Sequence, residues 1–261
     1  MIRAKKSLGQ NFLIDRNVID KIINTVPITN KEILEVGPGT GNLTREILRK
    51  NPSKLYLVEK DTHLVESLKE LINKKVTIFN EDILKFNENL LSDNKITVFG
   101  NLPYNISTEI LSTWIVNFKN DYWFSDLILM FQKEVADRII AQFNTSAYGR
   151  LSILANWRLN IKKIFDISPE SFSPRPKIQS SLIHFTPKKN FADIKDPLNL
   201  EKITRIFFSH RRKMLKKPFN QIFNGDTDLL DKLNIDLNLR PQNLDFDTYY
   251  KLTIEYEKLR S

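Results

Sequence analysis

Short apolar runs rich in β-branched and aromatic residues recur along the first two-thirds of the chain, separated by stretches with helical spacing. The runs predict strands over 33–37 (ILEVG), 54–59 (KLYLVE), 76–80 (VTIFN), 95–100 (KITVFG), 126–132 (DLILMFQ), 161–167 (IKKIFDI) and 179–186 (QSSLIHFT). Helices are predicted between them, among others over 44–50, 62–73, 108–118 and 133–143. Strand–helix alternation implies a parallel sheet covered by helices on both faces. The last two runs are joined by SPESFSPRPK, which has no helical pattern, so the final strand is expected to run antiparallel in a terminal hairpin.

After Pro187 the pattern changes. KKNFADIKDPLNL reads as a linker, and the remainder is helical. In EKITRIFFSHRRKMLKK, Ile203, Ile206, Phe207 and Met214 fall on one helical face, and Arg205, Arg212 and Lys216 on another. An α/β domain over 1–187 and a small helical domain over 188–261 are therefore expected.

Charge narrows the partners. Forty Lys and Arg against 31 Asp and Glu give a net charge of +9, which favours a polyanion: nucleic acid or an anionic membrane surface. The absence of cysteine excludes disulfides, thiolate metal sites and a cysteine nucleophile. His63, His184 and His210 lack metal-ligand spacing, so no metal is expected. MIRAKKSLGQ is basic but has no apolar core of a signal sequence, and no run is long enough to span a bilayer. A cytoplasmic protein with no membrane partner is expected.

Three of only seven glycines (Gly37, Gly39, Gly41) crowd into ILEVGPGTGNLT, between a strand and a helix. They allow a tight turn and close backbone approach to a ligand. Glu59, at the end of the next strand, could accept hydrogen bonds from ribose hydroxyls. Nicotinamide and S-adenosylmethionine folds share this geometry, and a plain turn with a helix cap also accounts for it. Asp82, after the third strand, could accept from an adenine amine with Ile83 packed on the ring, or could simply cap the next segment.

The fourth strand runs into FGNLPYNIS. Asn101 offers a carbonyl acceptor, Pro103 restrains Leu102 to extended geometry, and Tyr104 offers a flat face. Together they suit a planar exocyclic amine. Acceptors on both amine hydrogens favour a pyramidal nitrogen and stabilise the positive charge that develops as it attacks a methyl group. A turn that merely exits a strand explains the Gly and Pro, not the Asn-x-Pro-aromatic combination.

Taken in order, KKSLGQNFL, EVGPGTGNLT, GNLPYNIS, QKEVADRI, AYGRLSI, SFSPRPKIQSSL, FFSHRRKMLKKPF and LRPQNLDFDTYYKL resemble the ribosomal RNA adenine N6,N6-dimethyltransferases. The resemblance covers nearly the whole chain, and the bacterial small-subunit (16S) branch, the KsgA/RsmA family, fits it best. It implies a Rossmann-like class I methyltransferase fold, with a mostly parallel seven-stranded sheet, an antiparallel last strand and a small all-helical C-terminal domain. The implied cofactor is S-adenosyl-L-methionine. Asn11, Leu13, Gly37 and Gly39 would line its site, Glu59 would hold ribose, and Asp82 with Ile83 would hold adenine. Asn101 would meet both the cofactor and the target amine.

Phe172 would sandwich the target base against Tyr104, beside Leu102 and Pro103. Arg3, Lys5, Lys6, Arg211, Arg212 and Lys213 would contact RNA phosphates, although charge runs are usually solvated faces. The implied activity is dimethylation of two adjacent adenines in the 3′-terminal hairpin of 16S rRNA, on a partly assembled 30S particle, by a monomer. A 23S-type dimethylase shares the fold and a similar loop, but GNLPYNIS, QKEVADRI and the RRK stretch argue against it. A non-catalytic RNA-binding factor would show eroded cofactor residues, and none is eroded. A nicotinamide oxidoreductase would need a hydride-transfer acid or base that the motifs do not supply.

Overall fold

The N-terminal segment enters as a two-residue strand, β1 (Phe12–Leu13), ahead of the seven runs that build the main sheet. In this computed structural model residues 5, 9–92, 94–117 and 122–260 are described. Arg3 and Lys6 lie outside them. The sheet strands are β2 (Glu32–Val36), β3 (Lys54–Val58), β4 (Val76–Phe79), β5 (Ile96–Gly100), β6 (Phe124–Gln132), β7 (Leu159–Ile167) and, after the short β8 (Phe172–Ser173), β9 (Ser180–Pro187).

Their order is β4-β3-β2-β5-β6-β9-β7. Strands β2 to β6 pair in parallel, and β9 runs antiparallel to β6 with His184 opposite Ile128. The last strand is thus antiparallel, as expected, and it returns inside the sheet, leaving β7 at the edge. Every residue of β5 and all but the first of β2 and β3 are buried, as required of parallel strands covered on both faces. Edge strand β7 carries Lys162 and Lys163 in mid-strand, which discourages pairing with another chain.

Helices α1 (Arg16–Ile23), α2 (Asn42–Arg49), α3 (Thr62–Leu68), α4 (Ser107–Val116), α5 (Lys133–Ile139) and α6 (Arg150–Arg158) fill the connections. Two of them end earlier than the pattern predicts. The run expected over 62–73 tightens into a 3-10 turn at Lys69–Leu71, and α5 stops four residues short of 143. Four more helices come after the sheet: α7 (Pro197–Ser209), α8 (Lys216–Phe223), α9 (Thr227–Leu233) and α10 (Phe246–Lys258).

The chain divides into two compact units. One holds the sheet apart from the first two residues of β7: the residues up to Trp114, 118–136 and Ile161–Pro187. The other comprises Ile115–Asn117, Asp137–Asn160 and the chain from Lys188 on. The helical unit is therefore larger than 188–261, because α6 and the segment before it pack with the C-terminal helices. Tyr250 donates to the Ile153 carbonyl at 3.0 Å, Trp157 donates to the Ala192 carbonyl at 2.8 Å, and the buried Tyr148 ring lies edge-on to Phe208 and Phe246. Ile203 and Phe207 are fully buried on α7, as their spacing predicts. Met214 is 57% exposed instead, because α7 ends at Ser209 and the helical projection no longer applies. Among the described residues no helix is long and apolar enough to cross a membrane.

The short strands β1 and β8 anchor the N-terminal segment to the sheet unit. They pair antiparallel with Leu13 opposite Phe172, and both side chains join a core cluster with Met130 and Leu182. Phe172→Ala should cost about 3–5 kcal/mol, as truncation of a buried aromatic does. Urea unfolding followed by tryptophan fluorescence checks this, and a loss below about 1 kcal/mol would show that the ring is not structural.

Candidate active site

The C-terminal ends of β2, β3, β4 and β5 open on one cleft of about 250 Å³. It lies where the strand order reverses, between β2 and β5, which is where open parallel sheets bind ligands. The glycine turn forms its floor. Gly37 adopts φ 67°, and a Cβ there would meet nothing closer than the Asn101 carbonyl at 3.6 Å, so it would occupy cleft space. Gly39 adopts φ 59°, and its Cβ would stand 2.8 Å from the Phe12 ring. Only glycine fits between that ring and the turn.

Carboxylates ring the cleft, each in a different environment. Glu59, just past β3, is 7% exposed and accepts from the backbone of Gly39 at 3.2 Å and of Asp61 at 2.9 Å. Burial raises its pKa above the ordinary range, against those two donors. Asp82 lies three residues beyond the end of β4, where Lys60 Nζ reaches it at 2.8 Å and holds its carboxyl below the ordinary range. Ile83 packs beside it on the cleft wall.

The loop after β5 supplies the opposite wall. Asn101 donates its side-chain amide to the Asn11 carbonyl at 2.8 Å, and Asn11 donates to the Gly9 carbonyl at 3.2 Å. The Tyr104 hydroxyl meets Ser180 Oγ at 2.5 Å, which fixes the ring, and burial pushes the phenol above its usual value. The Pro103 carbonyl accepts from the Ile106 amide at 3.1 Å, which closes the turn into the following helix. Leu102 is buried beneath, and Asn101 through Ile106 all line the cleft.

The structure thus brings together Asn11, Gly37, Gly39, Glu59, Asp82, Ile83, Asn101, Leu102, Pro103 and Tyr104. Leu13 lies outside this cleft; it lines a narrow extension with Glu35 and Met130, and its carbonyl accepts from Asn42 at 2.8 Å. Phe172 is not brought to the cleft. Its ring is 2% exposed, buried under β1 in the core, so it does not face Tyr104 here.

The expected RNA cations divide. Lys5 forms an ion pair with Asp61 at 2.7 Å, and Gln10 donates to the other oxygen of that buried carboxylate at 3.0 Å, so Lys5 ties the N-terminal segment down. Arg211 donates to Gln242 at 3.3 Å and to the Thr145 and Ser146 carbonyls, which makes it an internal brace. Arg212 and Lys213 are exposed, in the turn beyond α7 rather than on a helix.

Sequence reasoning missed Glu35, which is 2% exposed and accepts from the Thr44 hydroxyl at 2.6 Å. Burial, with the neighbouring charge of Glu59 adding to it, pushes its pKa to about 8 against the opposing Thr44 hydrogen bond. A charged residue in the middle of the apolar run ILEVG was the available signal. Lys60, Gln10 and Phe12 were missed as well, because each acts only through a neighbour that folding supplies.

The chain has clear relatives. The family model described as ribosomal RNA adenine dimethylase matches residues 1–258. The ribosomal RNA small subunit methyltransferase A of Pelagibacter ubique (strain HTCC1062) is 66% identical over 259 residues, 99% of either chain. Its counterpart from Ehrlichia ruminantium (strain Gardel) is 42% identical over 250 residues, 94% of each. Among solved structures, a dimethyladenosine transferase from Plasmodium falciparum matches with a TM-score of 0.81 at 25% identity, over 95% of this chain and 98% of that one. The 23S rRNA methyltransferase ErmE shares the fold, with a TM-score of 0.70 at 20% identity over 95% of this chain and all of its own.

Glu35 makes stability pH-dependent. Its folded pKa of about 8 lies above the ordinary 4.5, so its contribution is complete below about 4.5 and is lost as pH rises through 8. Glu35→Gln should remove that loss, so that its stability relative to wild type rises by about 4 kcal/mol between pH 5 and 9. Urea midpoints at the two pH values check it; parallel curves for the two proteins would refute a buried, protonated Glu35.

Proposed function

The chain belongs to the ribosomal RNA adenine dimethylase family, and we propose that its cleft methylates the N6 amines of two adjacent adenines in 16S rRNA, using S-adenosylmethionine. The observation that carries this reading is the junction of two features on one cleft: a glycine-floored nucleoside site and the Asn101–Tyr104 cradle. The finer reading is that a single copy of the chain acts in the cytoplasm on a 30S precursor and modifies the 3′-terminal hairpin.

The residues present fit the cofactor. At Gly37 a Cβ would fill the space a ligand needs, and the site offers acceptors suited to hydroxyls and to an amine. Glu59 would hold ribose hydroxyls, its orientation fixed by the Gly39 and Asp61 amides. Asp82 would take the adenine amine, with Ile83 against the ring, and Asn11 and Gly37 would flank the methionine end. When bound, S-adenosylmethionine supplies an electrophilic methyl group on a sulfonium.

The chain's own contribution is to the nucleophile. An adenine N6 lone pair is delocalised into its ring. Asn101 Oδ1 is an acceptor held in place because the same side chain's amide is committed to Asn11, and a backbone carbonyl of the same loop would be the second acceptor. Binding both amine hydrogens favours the pyramidal, positively charged nitrogen of the transition state. The proton becomes acidic once the new carbon–nitrogen bond exists and passes to water, so an asparagine suffices where a strong base is not needed. Tyr104, pinned by Ser180, offers the stacking face for a base taken out of its RNA context. Phe172 supports the site from beneath through β1, and Arg212 and Lys213 supply phosphate contacts from the helical unit.

Asn101→Ala should lower the chemical step by about 2–4 kcal/mol, a 30- to 1,000-fold loss, with the fold intact. The assay is tritiated methyl transfer to undermethylated 30S particles, with undermethylated 50S particles alongside. Up to four methyls per 30S particle, recovered as dimethyladenosine, is the expected result. Transfer to 50S alone would overturn the 16S assignment, and wild-type turnover by the variant would remove Asn101 from the mechanism.

A further inference from the structure

The helical unit carries a second concavity, a groove of about 340 Å³ lined by the first residue of α6, α7 from its N-cap to Arg205, and Arg260 just past α10. Four cations line it: Arg150, Lys202, Arg205 and Arg260. Two acids, Asp196 and Glu201, lie among them, and Asp196 already caps α7 by accepting from the Leu198 amide at 3.0 Å. The groove keeps a positive excess.

Several cations elsewhere on the molecule are paired with acids, as Lys5 is with Asp61, Arg45 with Glu70, Lys60 with Asp82 and Lys232 with Glu255. In this groove they are not. Arg150 and Arg205 are exposed and make no ion pair or hydrogen bond with any described residue. Lys202 and Arg260 share one acceptor that carries no formal charge. Both donate to the Tyr256 hydroxyl, and both stand over its ring, at 5.0 and 5.5 Å from the centroid. Tyr256 is 7% exposed, and burial alone would raise its phenol. The Lys202 hydrogen bond and the charges of Lys202 and Arg260 bring it below the usual tyrosine value instead. Tyr256 thus fixes two of the groove's four cations in place without neutralising them.

Four cations, none of them ion-paired with a described residue, two fixed on a ring and two exposed as open guanidinium forks, form a receptor for an oxyanion. We propose that this groove is a backbone-phosphate foothold for folded RNA. Arg150 and Arg205 grip the non-bridging oxygens, while Lys202 and Arg260 hold fixed charge beneath them. Such a contact positions the RNA without reading its sequence. It is separate in sequence from the Arg212–Lys213 turn, and it rests on the rRNA reading of the cleft.

The test uses the full chain and undermethylated 30S particles, with affinity measured across a salt series. Arg150→Gln/Arg205→Gln should flatten the slope of log affinity against log salt by about one to two and weaken binding at least severalfold at low salt. It should raise KM for the particle while leaving kcat at saturation and cofactor affinity unchanged. A charge-matched pair on the sheet unit, Lys50→Gln/Lys74→Gln, should leave the slope as in wild type. An unchanged slope in the groove variant, or an equal change in the control pair, overturns the foothold. Wild-type protein that methylates the particles while the groove variant keeps its slope refutes this proposal alone; wild-type protein that neither binds nor methylates them refutes the rRNA reading with it.

Discussion

The site depends on one hydrogen bond between residues 90 positions apart: the Asn101 amide donating to the Asn11 carbonyl. It joins the N-terminal segment to the loop after β5 and makes a single wall from two pieces of chain. It also settles which end of the Asn101 side chain remains as an acceptor, since the amide is already used. An asparagine free to rotate would present donor and acceptor alternately. Much of the surrounding structure keeps Asn11 in place for this bond. Asn42 holds the Leu13 carbonyl, β8 pairs with β1, Phe172 fills the core beneath, and the Lys5–Asp61–Gln10 cluster fastens the segment from its other side. Phe172 is best understood as part of that support, which is why a loop aromatic is almost wholly buried.

The cleft and its narrow extension hold their carboxylates in distinct protonation environments. Glu35 is buried with one hydroxyl donor and is pushed up to about 8, so it stays neutral near pH 7 and adds no charge beside Asn101. Glu59 is also raised by burial, but two backbone amides support its ionised form. Asp82, beside the Lys60 ammonium, is held low. Glu35 on β2 and Glu59 just past β3 are neighbours, and keeping the deeper one protonated avoids placing like charges side by side in a low-dielectric site. The gradient runs from neutral at the sheet's centre to fully ionised at its rim. A positively charged ligand group entering between them would meet acceptors without a dense anionic patch that would bind cations indiscriminately.

Most of this architecture was legible in the sequence, for identifiable reasons. Parallel strands buried on both faces must be continuous apolar runs, so ILEVG, KLYLV and ITVFG announced themselves, and three clustered glycines marked the turn after the first. What was not legible depends on partners distant in sequence. Lys5 and Arg211 read as RNA contacts because a sequence shows a charge but not its counter-ion; folding gives Lys5 an aspartate 56 residues away and Arg211 the carbonyls of a turn 65 residues away. Met214 read as core because helical projection assumes a helix that Ser209 in fact ends. The extent of the helical unit was hidden for a similar reason, since nothing local in 137–160 shows that Tyr250 and the Phe246 ring will pack against it.

The two basic regions of the helical unit differ in the same way. A run such as Arg211-Arg212-Lys213 is conspicuous in sequence, yet one of its three charges is spent on structure. Arg150, Lys202, Arg205 and Arg260 are unremarkable in sequence, separated by up to 110 positions, and only the fold assembles them. Affinity for a polyanion depends on how many cations reach phosphates, not on how many are adjacent in the chain. A folded groove also lowers the entropic cost of each contact, because Lys202 and Arg260 are already immobilised on Tyr256 before any RNA arrives. Preorganised charge of this kind contributes more per residue than a flexible run, so in this chain the strongest electrostatic contact need not lie where the sequence is most basic.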